Sequence, residues 1–247
     1  EANAEFSKFV AVKIRERVRD PDVAEKLIPK DHGFGTRRVP METGYYEVYN
    51  QANVRLVDIS DTPIERITET GIQTIAEHHE FDIIIYATGF DAVTGAFDKI
   101  DIVGEAGQKL RDKWIDGPLT VYGLAVNGFP NMLTLAGPQS GSVATNFPRG
   151  IEEAVDWCSG VLEYIYDNRI DYFNARQAAE NSWSEHVHEM SERILFGKEQ
   201  SWFTGYNSNV DRQYRQKCLI YAGGQIRFRH FLKEESAQSY PSFEMRQ

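Results

Sequence analysis

Hydrophobic residues recur along the first stretch of the chain at helical spacing. In residues 4–19 (AEFSKFVAVKIRERVR), Phe6, Phe9, Val10, Ile14 and Val18 fall three or four apart, with charges filling the other face. That pattern predicts an amphipathic helix. It should end at Asp20-Pro21, since a residue before proline avoids the helical region, with a short turn over Asp22 to Leu27. Residues 28–43 (IPKDHGFGTRRVPMET) break the periodicity with two prolines, two glycines and two adjacent arginines. They read as a loop of defined shape, anchored by Phe34 and Met41, and YYEVYN (45–50) reads as a helical turn after it.

The pattern then shifts towards strands. Val54 to Asp58 alternates and is β-branched, and Ile64–Thr68 with Gly71–Ile75 reads as a hairpin turning near Glu69, Thr70 and Gly71. Phe81 to Tyr86 is a near-continuous apolar run ending in Ala87-Thr88-Gly89. Such a run suits a strand buried on both faces of a parallel sheet. Residues 91–137 hold short strands and turns. A helix is expected over 151–168, with Ile151, Val155, Cys158, Val161, Leu162 and Ile165 on one side, and a second over about 175–195. The segment 198–212 is polar and rich in Gly and Asn, so a mobile loop is expected there. CLIYAGG and QIRFRHFL (218–232) read as strand, turn, strand.

Composition narrows the class. The 247 residues suit one large domain or two modest ones, and the 41% hydrophobic, 26% charged and 12% aromatic shares are those of a globular chain. The formal charge of −10 does not favour nucleic acid or an anionic membrane as partner. No apolar run approaches the ~20 residues that span a bilayer. Cys158 and Cys218, without CxxC spacing, argue against a disulfide framework or structural zinc and fit a cytoplasmic setting.

Several stretches could carry chemistry. Ile83 to Phe90 ends a strand in Thr88-Gly89, where backbone can approach a cofactor beyond a strand's carboxyl end; an ordinary core strand and turn is the alternative. Gly33-Phe-Gly35-Thr-Arg37-Arg38 offers two fixed cationic forks suited to phosphate, although on the residues alone a solvated surface pair of arginines is the more usual reading. Its third glycine position holds Arg38, so it is no dinucleotide fingerprint. The small, polar loop Ala136 to Asn146 precedes a helix, whose start offers free N–H groups. Ser140 is not a nucleophile elbow, because Pro138 stands where glycine is required. Trp202 could stack on a flat ligand from a mobile loop, or simply pack locally. His186 and His188 sit two apart and point away from each other on a helix, so no metal site is expected there. Asp91 reads as a turn or capping residue.

In order, these stretches resemble a known family. PKDHGFGTRR, METGYYEVYN, NVRLVD, TPIERIT, ATGFDAVTGAF, KWIDGPLTVYGLAVNGFPN, AGPQSG…TN and SWFTGYN with a closing GG are similar to the C-terminal half of Baeyer–Villiger (class B) flavoprotein monooxygenases, which include cyclohexanone, phenylacetone and steroid monooxygenases. The likeness is collinear along almost the whole chain. It implies an α/β fold, the C-terminal half of a flavoprotein with two Rossmann-like dinucleotide-binding domains, carrying β-hairpin and helical additions. It implies FAD and NADP as cofactors, and a reaction that uses O2 to insert one oxygen beside a ketone carbonyl.

Residue by residue, Arg38 matches the family's catalytic arginine, which stands over the flavin, stabilises anionic charge there and helps place the nicotinamide. Arg37 matches a position, usually lysine, that recognises the 2′-phosphate of NADP. Trp202 matches the tryptophan of a loop closing over NADP. Thr88 and Gly89 fall in the cofactor-binding strand end. Asn146 and Phe147 match the segment against the flavin ring, and residues 142–147 are the expected determinant of substrate preference.

The resemblance also shows what is absent. The family's two GxGxxG loops and the signature between them do not occur in this sequence. They are expected upstream of residue 1, so the missing N-terminal half of the enzyme is an expected partner and the chain reads as a fragment or half of a split enzyme. Residues 1–90 would be the returning part of the NADP domain with the end of its helical insertion, and 91–247 the C-terminal part of the FAD domain. The alternatives are a catalytically silent nucleotide-binding or assembly module, or a relative that oxygenates nitrogen or sulfur. A disulfide reductase is disfavoured, since Cys158 and Cys218 lie far apart in sequence.

Overall fold

The first helix forms where the apolar stripe places it. In a computed structural model describing residues 1–141, 146–207 and 218–247, α1 spans Ala2–Arg17 and α2 spans Pro21–Leu27. Asp20 separates them and caps α2, its carboxylate accepting from the backbone N–H groups of Asp22 (2.9 Å) and Val23 (3.2 Å), with Pro21 in the first turn. The two helices close on Ile14, Val18, Ala24 and Ile28, with Tyr46 packed alongside. Asp20→Ala removes the cap's only side-chain acceptor and should lower stability by about 0.5–2 kcal/mol, read as a fall in the urea midpoint.

The chain divides into two compact units, Glu1–Gly89 and Phe90–Gln247. In unit 1, the turn over Glu47–Asn50 is helical as expected. Arg17 ties it down by pairing with Glu42 and Glu47 and by standing 5.0 Å from the Tyr46 ring. The expected hairpin is present: β1 (Ile64–Ile67) pairs antiparallel with β2 (Gly71–Thr74), and β3 (His78–Glu80) adds a third antiparallel strand.

Two expected strands are not formed. Val54–Asp58 and Phe81–Tyr86 have no ladder partner among the described residues. Ile83 and Ile85 are 79% and 85% exposed. A strand is defined by its neighbours, and an apolar run records only that it suits burial.

Unit 2 opens with two single-turn helices, α3 (Gly95–Asp98) and α4 (Leu110–Lys113). Leu110, Trp114, Val126 and Phe129 form a small core beneath α4. The main core lies among α5 (Phe147–Asp167), α6 (Gln177–Glu192), α7 (Gln225–Ala237) and the pair β4 (Tyr172–Ala175) and β5 (Phe243–Arg246). Phe173 on β4 stacks on Phe243 of β5 at 4.2 Å, and Trp157 and Trp183 bring α5 and α6 into the same cluster.

The final stretch corrects the sequence reading. Residues 225–232 are helical, not a strand: Phe228, Leu232 and Glu235 share the buried face of α7, while Ile226 is 86% exposed. Ile226 and Phe228 mimic strand alternation over too short a window to decide the period. Cys218 to Tyr221 are buried without forming a strand, held instead by backbone bonds from Gln139 N to Leu219 O (2.7 Å) and Tyr221 N to Ser140 O (3.1 Å).

The mixture of helix and sheet agrees with the α/β expectation, but both sheets of the described residues are antiparallel. No helix among the described residues is long and apolar enough to cross a membrane.

Candidate functional site

The two adjacent arginines fall at one pocket of unit 1. Its volume is about 180 Å³, and Val10, Ile14 and Ile28 give it an apolar wall, with His32, Arg37 and Arg38 at its polar side. The loop that carries the arginines is built tightly. Asn3 donates to Phe34 O (2.7 Å), Ser7 Oγ accepts from Phe34 N (2.9 Å), and the Phe34 ring lies 4.6 Å from Phe6. Buried Thr36 donates its hydroxyl to Gly33 O at 2.8 Å. Gly35 adopts φ +75°, a left-handed turn that favours glycine and leaves its backbone open. Phe34 thus anchors the loop as expected. Met41 does not: it is fully exposed.

Asp31 organises the polar side. It pairs with the His32 ring (2.7 Å) and with Arg37 (2.9 Å). The His32 hydrogen bond, and then the Arg37 charge, hold its carboxyl below the usual carboxylate range. A depressed carboxylate adds stability that is complete above its unfolded value near 3.8 and is lost as pH falls through the folded value. The loop should therefore loosen in acid, and Asp31→Asn should abolish that acid step in histidine and amide chemical shifts. Arg38 is exposed at the pocket.

The remaining expected residues lie elsewhere. Thr88 and Gly89 end unit 1, both exposed, with Gly89 at φ +85° and open space where a side chain would stand. Asn146 is the N-cap of α5, accepting from Arg149 N at 3.3 Å, and Phe147 begins that helix at 48% exposure. The substrate-preference stretch is otherwise outside the described residues, since only 146 and 147 of 142–147 are placed. Trp202 is half-buried against Phe203 (3.9 Å between rings), in a 3-10 turn closed by a reciprocal Ser201–Thr204 cap. The described part of the expected mobile loop contains the 3-10 turn Trp202–Thr204, and 208–212 lie outside the described residues. His186 packs among Trp183, Tyr221 and Phe231, whereas exposed His188 faces Glu192, so the two histidines diverge. Asp91 accepts from Asn207 at 3.3 Å.

Sequence reasoning missed three buried polar side chains. Gln139, in the left-handed region at φ +68°, accepts from Thr120 (2.9 Å) and Ser184 (3.1 Å) and fixes the 136–141 loop. Glu180 and Glu235 are buried acids on helices α6 and α7. Both sit in the apolar helical series, Glu180 with Trp183 and Val187, and Glu235 with Phe228 and Leu232. An acid in a core-facing register is the signal that could have found them.

Comparison with known proteins gives these features a context. No protein-family model matches the chain. A 2-oxo-Δ3-4,5,5-trimethylcyclopentenylacetyl-CoA monooxygenase of Pseudomonas putida is 44% identical over 99% of this chain and 45% of its own length. The methyl acetate-forming acetone monooxygenase of a Gordonia species is 40% identical over 98% of the chain and 45% of its own. A phenazine N-monooxygenase of Lysobacter antibioticus reaches 34% over 98% and 43%. Among solved structures, OTEMO in complex with FAD and NADP superposes with a TM-score of 0.88 at 44% identity, over 99% of this chain and 44% of that one.

Along its length the chain therefore matches flavoprotein monooxygenases. Within that class it fits the C-terminal half of the Baeyer–Villiger type, and it spans about 45% of the length of the curated relatives it matches.

Proposed function

We propose that this chain is part of an FAD- and NADPH-dependent Baeyer–Villiger monooxygenase that uses O2 to convert a ketone to an ester or lactone. The observation that carries this reading is the anchored loop that presents Arg37 and Arg38 together at one pocket, in a chain collinear with such enzymes. Bound FAD, reduced by NADPH, supplies the oxygen-activating chemistry.

The residues fit part of a dinucleotide. An apolar wall facing two guanidiniums suits an anion attached to a ribose or ring, and about 180 Å³ is below the ~300–1,000 Å³ of a pocket that encloses a whole ligand. In this reading Arg37 grips the 2′-phosphate of NADP and is oriented by Asp31. Arg38 directs fixed donors at negative charge developing beside the flavin. Trp202 would cover NADP, Thr88 and Gly89 would let backbone approach it, and Asn146 and Phe147 would help hold the flavin.

Units 1–89 and 90–247 then belong to Rossmann-type NADP and FAD domains, completed by an N-terminal half that supplies the glycine-rich phosphate loops. The exposed Ile83 and Ile85 support this, because the Phe81–Tyr86 run has the composition of a central strand awaiting neighbours. A cytoplasmic location accords with Cys158 and Cys218, both free and buried, the Cys158 thiol being pushed up to about 11 by burial.

A second reading, oxygenation at nitrogen, is favoured by the phenazine N-monooxygenase likeness. The test is a visible spectrum of the whole protein followed by NADPH oxidation with ketone, amine and sulfide panels. Flavin absorbance with ketone-dependent ester formation supports the first reading, and amine-only turnover supports the second. A colourless protein contradicts both.

A further inference from the structure

We propose that a pocket in unit 2, walled by the rings of Tyr122, Trp183 and Phe231 beside the buried carboxylate of Glu235, binds a small organic cation of the alkylammonium class. The cavity measures about 260 Å³, and His186 and Ser242 also line it. It is independent of the oxygenation reading and uses none of its residues.

The three rings pack against one another as one aromatic cluster at the pocket. Trp183 stands edge-on to Tyr122 (4.9 Å, 67°) and to Phe231 (5.4 Å, 81°). Tyr122 and Phe231 face each other near-parallel at 6.5 Å and 25°. His186 meets Phe231 edge-on at 5.3 Å, and burial, with the Arg227 charge next, keeps its imidazole below the usual value and neutral at pH 7.

The charge behind the wall points to the ligand. Glu235 is 5% exposed. It accepts from Ser242 N (2.8 Å), Ser242 Oγ (2.8 Å) and the Tyr122 hydroxyl (2.9 Å). Three donors converge on the one carboxyl and occupy its acceptor oxygens. All three are neutral, and among the described residues no cationic side chain pairs with Glu235. A buried acid ordinarily has a cationic partner. In this same unit Glu180 has Lys113 at 2.9 Å and Glu153 has Arg229. Glu235 departs from that rule, and both residues that donate to it, Tyr122 and Ser242, line the aromatic pocket.

Tyr122 (φ +58°) and Gly123 (φ +70°) are the central residues of a tight turn closed by the Leu124 N–H on Val121 O at 2.9 Å. From that turn the Tyr122 phenol reaches Glu235. Aromatic rings with an acidic side chain one hydrogen bond behind them favour a cation over a neutral molecule of equal shape, against the opposing Arg227 charge beside His186.

The test titrates the whole protein with tetramethylammonium chloride, and in parallel with neopentyl alcohol as a neutral shape-match, at constant ionic strength. Binding is read by saturation-transfer NMR at the ligand methyls. Saturable tetramethylammonium binding, about ten-fold or more tighter than the alcohol, is expected. Glu235→Gln should lower cation affinity by about ten-fold and leave the alcohol unchanged. If that variant does not fold, Phe231→Leu gives the same reading by removing one ring face. No saturable cation binding, or no preference over the alcohol, overturns the proposal.

Discussion

Lys113→Met is expected to destabilise the protein by about 3–5 kcal/mol, the largest stability loss of any single change considered. Glu180 is fully buried on α6, and Lys113 at the end of α4 is its cationic partner at 2.9 Å. The carboxylate also accepts from Asn127 N (2.8 Å) and Gln177 Nε2 (3.0 Å), and Lys113 donates a second bond to Asn127 O at 2.8 Å. Methionine keeps much of the lysine's length and apolar stem but removes the charge. An acid then remains in the core without a counter-ion. Replacing both partners, as Lys113→Met with Glu180→Leu, leaves no orphaned charge and should recover much of the loss. Urea unfolding of the single and double variants checks this. A single variant within about 1 kcal/mol of the parent would show that the pair is solvated, contrary to its burial.

Arg38→Ala in the whole protein should cut ketone turnover by about 10²–10³-fold with bound flavin retained, the cost of removing one preorganised donor to developing negative charge. Arg38→Lys keeps the charge but loses the planar fork, and should fall between the two. Arg37→Ala, by contrast, should act mainly on NADPH: KM rises while kcat changes little, because a phosphate grip contributes equally before and during reaction. Steady-state kinetics with varied NADPH separates the two arginines. Loss of less than ten-fold at Arg38→Ala would remove it from the chemistry.

Much of this was legible wherever structure is local. The stripe from Phe6 to Val18 gave α1, and the glycine at position 71 with its flanking β-branched residues gave the hairpin. Arg37 and Arg38, which on the residues alone read more readily as a solvated pair, both line the unit 1 pocket. What failed was non-local. Phe81–Tyr86 has the composition of a core strand, yet composition cannot supply the strands beside it. Pairing of β4 with β5 joins residues about seventy positions apart, with no turn signal between them. Met41 read as an anchor only because it is apolar, and its side chain stands wholly in solvent. The buried acids were passed over because a Glu on a helix is ordinarily solvated. Only the register of Glu180 and Glu235 on their helices distinguishes them.

We propose that this chain carries half of a flavin-dependent oxygen-inserting enzyme. Turnover of a ketone by the whole protein with NADPH under isotopically labelled O2, followed by mass spectrometry of the product, tests it most directly. An ester or lactone carrying one labelled oxygen atom is the predicted result. NADPH consumption that yields only hydrogen peroxide across the ketone panel, or an unlabelled product, would contradict it.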